Sequence, residues 1–524
     1  MLYQFPLYLG LIVFMMLLIM FGQRIKIAYP IVLVVGGLLL SLIPSVPDVT
    51  INPDLIFLIF LPPLLFEAAW NASWKALWRL RRMISVFAFL VVIVTSLVVA
   101  WVASSIIPGF GLALGFLLGG IVSPPDAVSA SAIMRYVKIP KGIKAVIEGE
   151  SLLNDASSLI VFRFALIAVE TGRFVFHEAA ASFFLVIVAG IAMGLAIAYI
   201  FYLAIKYLPT DSNMDLVLIL IAPFAMYIAA EEVQVSGVLA VVCGGLFLSA
   251  RQQKMMSNSS RLRSQSVWSA LGFVLNGLVF ILIGLQLPVI VFGLGNISLK
   301  QAIGYGLIIS VVLAVSRILM ALGASVFTTF ISRFITTANK HPGWKGPLVF
   351  GWAGMRGVVS LAAALSIPML LDNGEAFPQR DLILFITFVV ILFTLLVHGL
   401  TMPLLIRLLH IKEQDGYVPL ELEEQHIKKT IAEKSLEYLK QNFPEELSVY
   451  PQLQHMAERM ENQIYSDNDD LKDMSTGCRN VYLRLINKQR NWLHDINQDI
   501  LVDEDLIKRN LLLLDLEEEK LKLA

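Results

Sequence analysis

Along most of this chain apolar residues do not alternate with polar ones; they run on. Between charged or Pro/Gly interruptions, near-continuous apolar stretches occupy 4–22, 28–44, 53–71, 83–107, 110–134, 142–169, 176–205, 213–231, 235–250, 267–289, 301–330, 346–371 and 381–409. A helix needs about 20 residues to cross a hydrocarbon core of about 30 Å. The pattern therefore predicts an all-α polytopic membrane protein with about 13 transmembrane helices. Residues 1–22 carry neither a basic leader nor a small-residue cleavage site, so the first stretch reads as a retained span. Beyond residue 410 the pattern changes to charged, helix-favouring stretches, broken by Pro444 and Pro451. We divide the chain into a transmembrane domain, 1–410, and a helical cytoplasmic tail, 411–524.

Charge sharpens this division. Only 15% of the 524 residues are charged against 57% hydrophobic, where a soluble chain carries about a quarter charged. The 40 basic and 40 acidic residues cancel in the total, but not locally. Residues 1–410 hold 25 basic and 16 acidic residues, and 411–524 hold 15 and 24. Loops on one side carry Arg24, Lys26, Lys75, Arg79, Arg81, Arg82, Arg135, Lys138, Lys141, Lys144, Lys206, Arg251, Lys254, Arg261, Arg263, Arg333, Lys340 and Lys345; the other side has only Arg173, Lys300 and Arg380. This bias places the N-terminus outside and the C-terminus in the cytoplasm of a cell-membrane protein, and an odd number of spans satisfies it. Two cysteines, Cys243 and Cys478, give no disulfide framework.

Ionisable side chains at bilayer depth are costly and mark function. Here they are Glu67, Asp126, Glu148, Glu150, Asp155, Arg163, Arg317 and Arg356, with Glu231 and Glu232 at a helix end. Asp155 lies about 16 Å beyond Lys144, and Asp126 about 13 Å before Arg135, both near the midplane at the helical rise per residue. In 150–155 the pairs Glu150/Asn154 and Ser151/Asp155 are i,i+4 neighbours, making an oxygen-rich stripe suited to a hard monovalent cation. A polar stripe that merely holds helices together is the alternative. Pro124 and Pro125 should break the fifth segment just before Asp126. Freed carbonyls at that depth are tolerated only where they are buried in protein or line a cavity. A simple kink is the alternative. Glycines 351, 354 and 357 interrupt the twelfth segment around Arg356, and paired interruptions in two halves point to an inverted-repeat transporter site. Arg356 needs an anionic partner, with Glu150 the candidate and Asp126 an open second choice.

These residues resemble the monovalent cation/proton antiporter-1 family, bacterial sodium/proton antiporters akin to the sodium/hydrogen exchangers. The similarity spans the membrane region and rests on 60–67, Ser123-Pro124-Pro125-Asp126-Ala127, 149–155, Ser236-Gly237, Asn276-Gly277 and 354–357. It implies a homodimer of thirteen-helix protomers whose fifth and twelfth helices cross as unwound segments. Asp155 would be the proton- and ion-exchanging carboxylate, and Ser151, Asn154, Glu150, Asp126 and the Pro125 main-chain carbonyl would coordinate or organise the site. Arg356 would pair with Glu150, and the Asn-Asp pair places the chain with electroneutral members. The family usually has Thr where Pro125 stands, so a ligand from this position must be main-chain oxygen.

The expected activity is exchange of Na+, with Li+ or K+ possible, for H+ by alternating access, serving pH homeostasis. Proton and cation would compete for Asp155, because loss of water disfavours the bare carboxylate and a bound cation restores it. No cofactor, metalloenzyme site, phosphate loop or nucleic-acid partner is expected. Two alternatives stay open here: a K+/H+ antiporter, and an intramembrane aspartyl protease using Asp126 and Asp155. Glu67 reads as structural, Glu231 and Glu232 as solvated, and Arg163 and Arg317 receive no transport step.

Overall fold

The computed structural model describes residues 5–25, 27–43, 56–134, 139–172, 176–295, 297–331, 343–371, 374–410, 420–465, 476–496 and a few positions between 510 and 518. Six of the loop charges, Lys26, Arg135, Lys138, Arg173, Arg333 and Lys340, lie outside the described residues. The described residues are helical apart from connections and one isolated β-bridge, Leu370 to Ala376. They form two units, Met1–Glu413 and Gln414–Ala524.

The first unit opens with α1 (Phe5–Ile25) and α2 (Tyr29–Ser41), then a π turn (Ile56–Phe60) leading into α3 (Leu61–Asn71). Next comes α4 (Trp74–Ser85), which passes through a second π turn (Val86–Val91) into α5 (Val92–Ile106). The sequence reading treated 72–82 as loop; instead Trp74–Ile106 is continuous. Ser73 caps the start by accepting the Ala76 N–H at 3.4 Å. The basic side chains stay exposed while Leu77 and Ile84 turn inward, so an amphipathic pattern replaces the expected break.

After these come α6 (Leu112–Val122), α7 (Ala127–Met134), α8 (Lys141–Thr171), α9 (Phe176–Tyr207), α10 (Ser212–Glu232), α11 (Gly237–Met255), α12 (Asn258–Leu285) and α13 (Leu287–Gly293). The unit ends with α14 (Leu299–Ile331), α15 (Lys345–Trp352), α16 (Val358–Leu365), α17 (Arg380–Phe393), a third π turn (Thr394–His398) and α18 (Gly399–Leu409). Among the described residues, eight helical stretches are long and apolar enough to cross a membrane, and Leu9–Ile25, Tyr29–Ser41 and Leu58–Asn71 are shorter apolar helices.

Two apolar clusters form the interior. One draws on α1, α2, α6, α12, α14 and the helices from α15 onward; the other on α3 and α9 to α11. Helix α8 serves both: Val146, Ile147, Phe162 and Ala165 enter the first, Leu152 and Ala156 the second. Its middle, including Asp155, therefore lies where the clusters meet. Small residues let α6 approach closely, as is usual for helices inside membranes. A methyl on Gly120 would sit 2.9 Å from the Phe162 nitrogen of α8.

In the second unit α19 (Leu420–Asn442), α20 (Pro444–Val449), α21 (Pro451–Tyr465) and α22 (Thr476–Ile496) follow in order. The two prolines that read as breaks each begin a new helix, where a missing N–H costs nothing. Lys440 and Glu461 pair at 2.8 Å between α19 and α21.

Candidate ion-binding site

Helix α6 stops at Val122 because Pro124 and Pro125 cannot continue its hydrogen-bond ladder. Residues 353–357 interrupt the other helix pair, between α15 and α16. The two breaks touch directly. The Asp126 N–H donates to the Met355 carbonyl at 2.7 Å, and the Arg356 Nε donates to the Val122 carbonyl. Arg356 Nη1 donates to the Gly354 carbonyl, and its main-chain N–H donates to Thr394 Oγ1 at 3.0 Å. Gly357 faces Asp126 so closely that a Cβ there would collide with the carboxylate. Each break thus supplies partners to the other, which is how irregular backbone survives away from water.

Helix α8 holds the first break from its side. Asn154 Nδ2 donates to the Pro125 carbonyl at 2.9 Å, and Ser151 Oγ accepts the Ala127 N–H at 3.1 Å. Ser123 accepts from Ser96 of α5 at 2.9 Å. Asp126 caps α7: Oδ1 accepts the Val128 N–H at 2.9 Å and Oδ2 accepts from Ser129 Oγ at 2.7 Å. Asp155, only 6% exposed, differs from all of these. Among the described residues no donor reaches its carboxylate; the nearby Ser158 hydroxyl bonds the Asp155 main-chain oxygen instead, at 3.0 Å.

The charge pairing departs from expectation. Glu150 Oε2 pairs with Arg317 Nη2 at 2.7 Å, both side chains almost fully buried, and not with Arg356. Arg317 comes from α14, which can present a guanidinium to α8, whereas the Arg356 guanidinium is drawn to carbonyls freed by the two breaks. Glu150 is therefore committed to an ion pair.

Arg163 also gains a partner, Glu231 at 3.3 Å, both part-exposed. Glu231 Oε1 further accepts the Gly237 N–H at 3.2 Å, so it is not simply solvated. Glu67 accepts from Asn71 Nδ2 at 3.1 Å. Sequence reasoning missed Thr394 and His398, in the third π turn. His398 is 2% exposed and lies 4.5 Å from the Trp352 ring centroid at the end of α15. A histidine next to no metal-ligand pattern gives no sequence signal, although a Thr and a His inside an apolar span are polar anomalies of the same kind as the acids.

Asp126, with both oxygens capping α7, is a poor proton-sharing partner for Asp155, and the aspartyl-protease alternative loses its basis. The sodium/hydrogen exchanger transmembrane family model matches residues 10–408. An antiporter of Bacillus subtilis described as acting on sodium, potassium, lithium and rubidium is 37% identical over 389 residues, covering 72% of this chain and 58% of the relative. The protein of the same description from Bacillus pumilus is 35% identical over 433 residues, covering 80% and 63%. The chain thus spans 58% and 63% of these relatives' lengths. The solved sodium proton antiporter MjNhaP1 of Methanocaldococcus jannaschii superposes with a TM-score of 0.61 at 18% identity, covering 78% of this chain and 99% of that one, a likeness of fold. With a family match running from the first helix to the last of the membrane unit, this chain belongs to the sodium/hydrogen exchanger family.

Proposed function

We propose that this protein exchanges Na+, and with it Li+ or K+, for H+ across the cell membrane by alternating access, with Asp155 carrying either ion in turn. The observation that carries the reading is the contrast between two buried carboxylates. Asp126 has its oxygens engaged by Val128 and Ser129, while no donor reaches Asp155 among the described residues. A carboxylate deprived of water and of protein donors must take a proton or a cation. Because one carboxylate cannot hold both, each crossing carries one occupant, and the gradient of either ion drives the other. No cofactor enters this scheme.

Ser151, Asn154, Asp126 and the Pro125 carbonyl then act as the frame around the ion. Their mutual hydrogen bonds fix the broken helix, and rearrangement of Asn154 or Ser151 would release oxygen ligands to a cation. Glu150 with Arg317 and Arg356 fixes the charge balance behind the frame. The single acid after Asn154 supports an electroneutral exchange. The basic-loop bias supports an N-terminus outside, a C-terminus in the cytoplasm and thirteen crossings. Homodimer assembly and a part in pH homeostasis belong to the same proposal, as does the two-domain division at residue 410.

The reading is tested in proteoliposomes holding a pH dye and pulsed in turn with Na+, Li+ and K+. Each transported cation moves protons the opposite way in proportion to its affinity, without generating a membrane potential. Protein-dependent flux that is indifferent to all three cations would sink it. The breadth of cations in the description of the two Bacillus relatives makes Rb+ a fourth useful pulse.

A further inference from the structure

We propose that the exposed face of α4 is a docking surface for anionic phospholipid, and that lipid bound there acts on the Asp155 helix; the second part rests on the function proposed above. Helix α4 carries Lys75, Arg79, Arg81 and Arg82, and no acidic residue occurs between Glu67 and Asp126. Trp74 and Trp78 are 51% and 57% exposed and stack with ring centroids 5.7 Å apart. The Arg81 guanidinium lies 4.6 Å from the Trp78 ring centroid and donates to the Trp78 carbonyl at 2.8 Å. Paired indoles beside a basic cluster suit the headgroup level of a bilayer, where an indole needs both apolar and polar surroundings.

The rest of the same rod fixes where that face lies. From Arg82 onward, Val86, Leu90, Ile93, Leu97 and Trp101 are exposed at steps of three or four residues, one continuous stripe. Arg82 to Trp101 spans about 28 Å of helix, close to the thickness of a hydrocarbon core. The stripe that faces acyl chains therefore runs into the basic face at the depth of the lipid phosphates. An anionic headgroup is the occupant whose charge complements this exposed basic face and whose tails lie on the stripe. Each Lys or Arg near an anionic surface strengthens attachment about fivefold.

The opposite face of α4 rests on α8. A Cβ on Gly149 would meet Ile84 and Leu77 side chains, each at 2.6 Å. In the π turn that follows, the Ala88 carbonyl accepts from Ser157 Oγ at 2.5 Å. The two contacts bracket Glu150 to Asp155, so a force on α4 reaches both ends of the site segment.

The test uses the full chain in vesicles of phosphatidylcholine alone or with a quarter phosphatidylglycerol, and in detergent with added phosphatidylglycerol. The wild type gains thermal stability with phosphatidylglycerol and exchanges severalfold faster in the anionic vesicles. A variant with Lys75→Gln, Arg79→Gln, Arg81→Gln and Arg82→Gln loses most of both responses and keeps its rate in phosphatidylcholine. Changing the three arginines to lysine retains both. Should the fourfold variant fail to assemble, Arg81→Gln alone lowers lipid affinity about fivefold. A neutralised variant that responds like wild type, or soluble glycerol phosphate that works as well as the lipid, overturns the docking surface. A thermal response without a change in rate overturns the coupling to Asp155. Absence of exchange in every vesicle defeats the proposed function instead, and the thermal response then decides the docking surface.

Discussion

Arg317 shows how much one side chain inside the membrane unit controls. Its pairing with Glu150 is buried on both sides, and removing one partner of such a pair strands the other charge, at a cost of about 3–5 kcal/mol. Arg317→Ala should therefore lower the melting temperature of the detergent-solubilised protein sharply. Adding Glu150→Gln to it should recover part of the loss, the non-additivity expected of direct neighbours. Equal losses that simply add would mean the pair is not a unit. Sequence singled out all three charges, but it gave Glu150 to Arg356 and left Arg317 without a role, whereas the ion pair is Glu150 with Arg317. The residues lie 167 positions apart along the chain, and nothing in local spacing encodes which guanidinium arrives. The geometry decided it through competing acceptors, since the carbonyls of Val122 and Gly354 occupy Arg356.

The two interrupted helices work as one element. Their breaks were legible because Pro124, Pro125 and glycines 354 and 357 act on the backbone locally, whatever the tertiary context. What sequence could not supply was the join itself, the Asp126 N–H to Met355 carbonyl bond and the close approach of Gly357 to the Asp126 carboxylate. Gly357→Ala places a methyl into that carboxylate, so we expect loss of most exchange with the protein still assembled, read as flux per reconstituted protein. Unchanged flux would mean that the two breaks separate during the cycle more than this geometry allows. Asn154→Ala removes the donor to the Pro125 carbonyl. Hydrogen bonds between membrane helices are worth only about 0.6–2 kcal/mol, so its effect on melting should be small, and its effect on apparent cation affinity the larger one.

At the scale of the molecule, the Asp155 helix lies between two apolar clusters and contributes side chains to both. That is where relative movement of the clusters would carry a site from one membrane face to the other, as alternating access requires. The apolar runs made the helical class readable, because hydropathy is nearly all that decides where a chain enters a bilayer. The extension of the fourth span back to Trp74 was not readable that way. Its charges looked like a loop when counted, and only their confinement to one face of a helix shows them to be part of the rod.

The claim on which the account stands is that Asp155 takes proton and cation in turn. The most direct measurement compares wild type and Asp155→Asn, reconstituted at equal density and assembly, for sodium-driven proton movement reported by a trapped pH dye. Asparagine keeps the shape and cannot titrate, so the account predicts a Na+-driven signal for the wild type and a trace from Asp155→Asn indistinguishable from protein-free vesicles. Sodium-dependent proton flux retained in Asp155→Asn would contradict it.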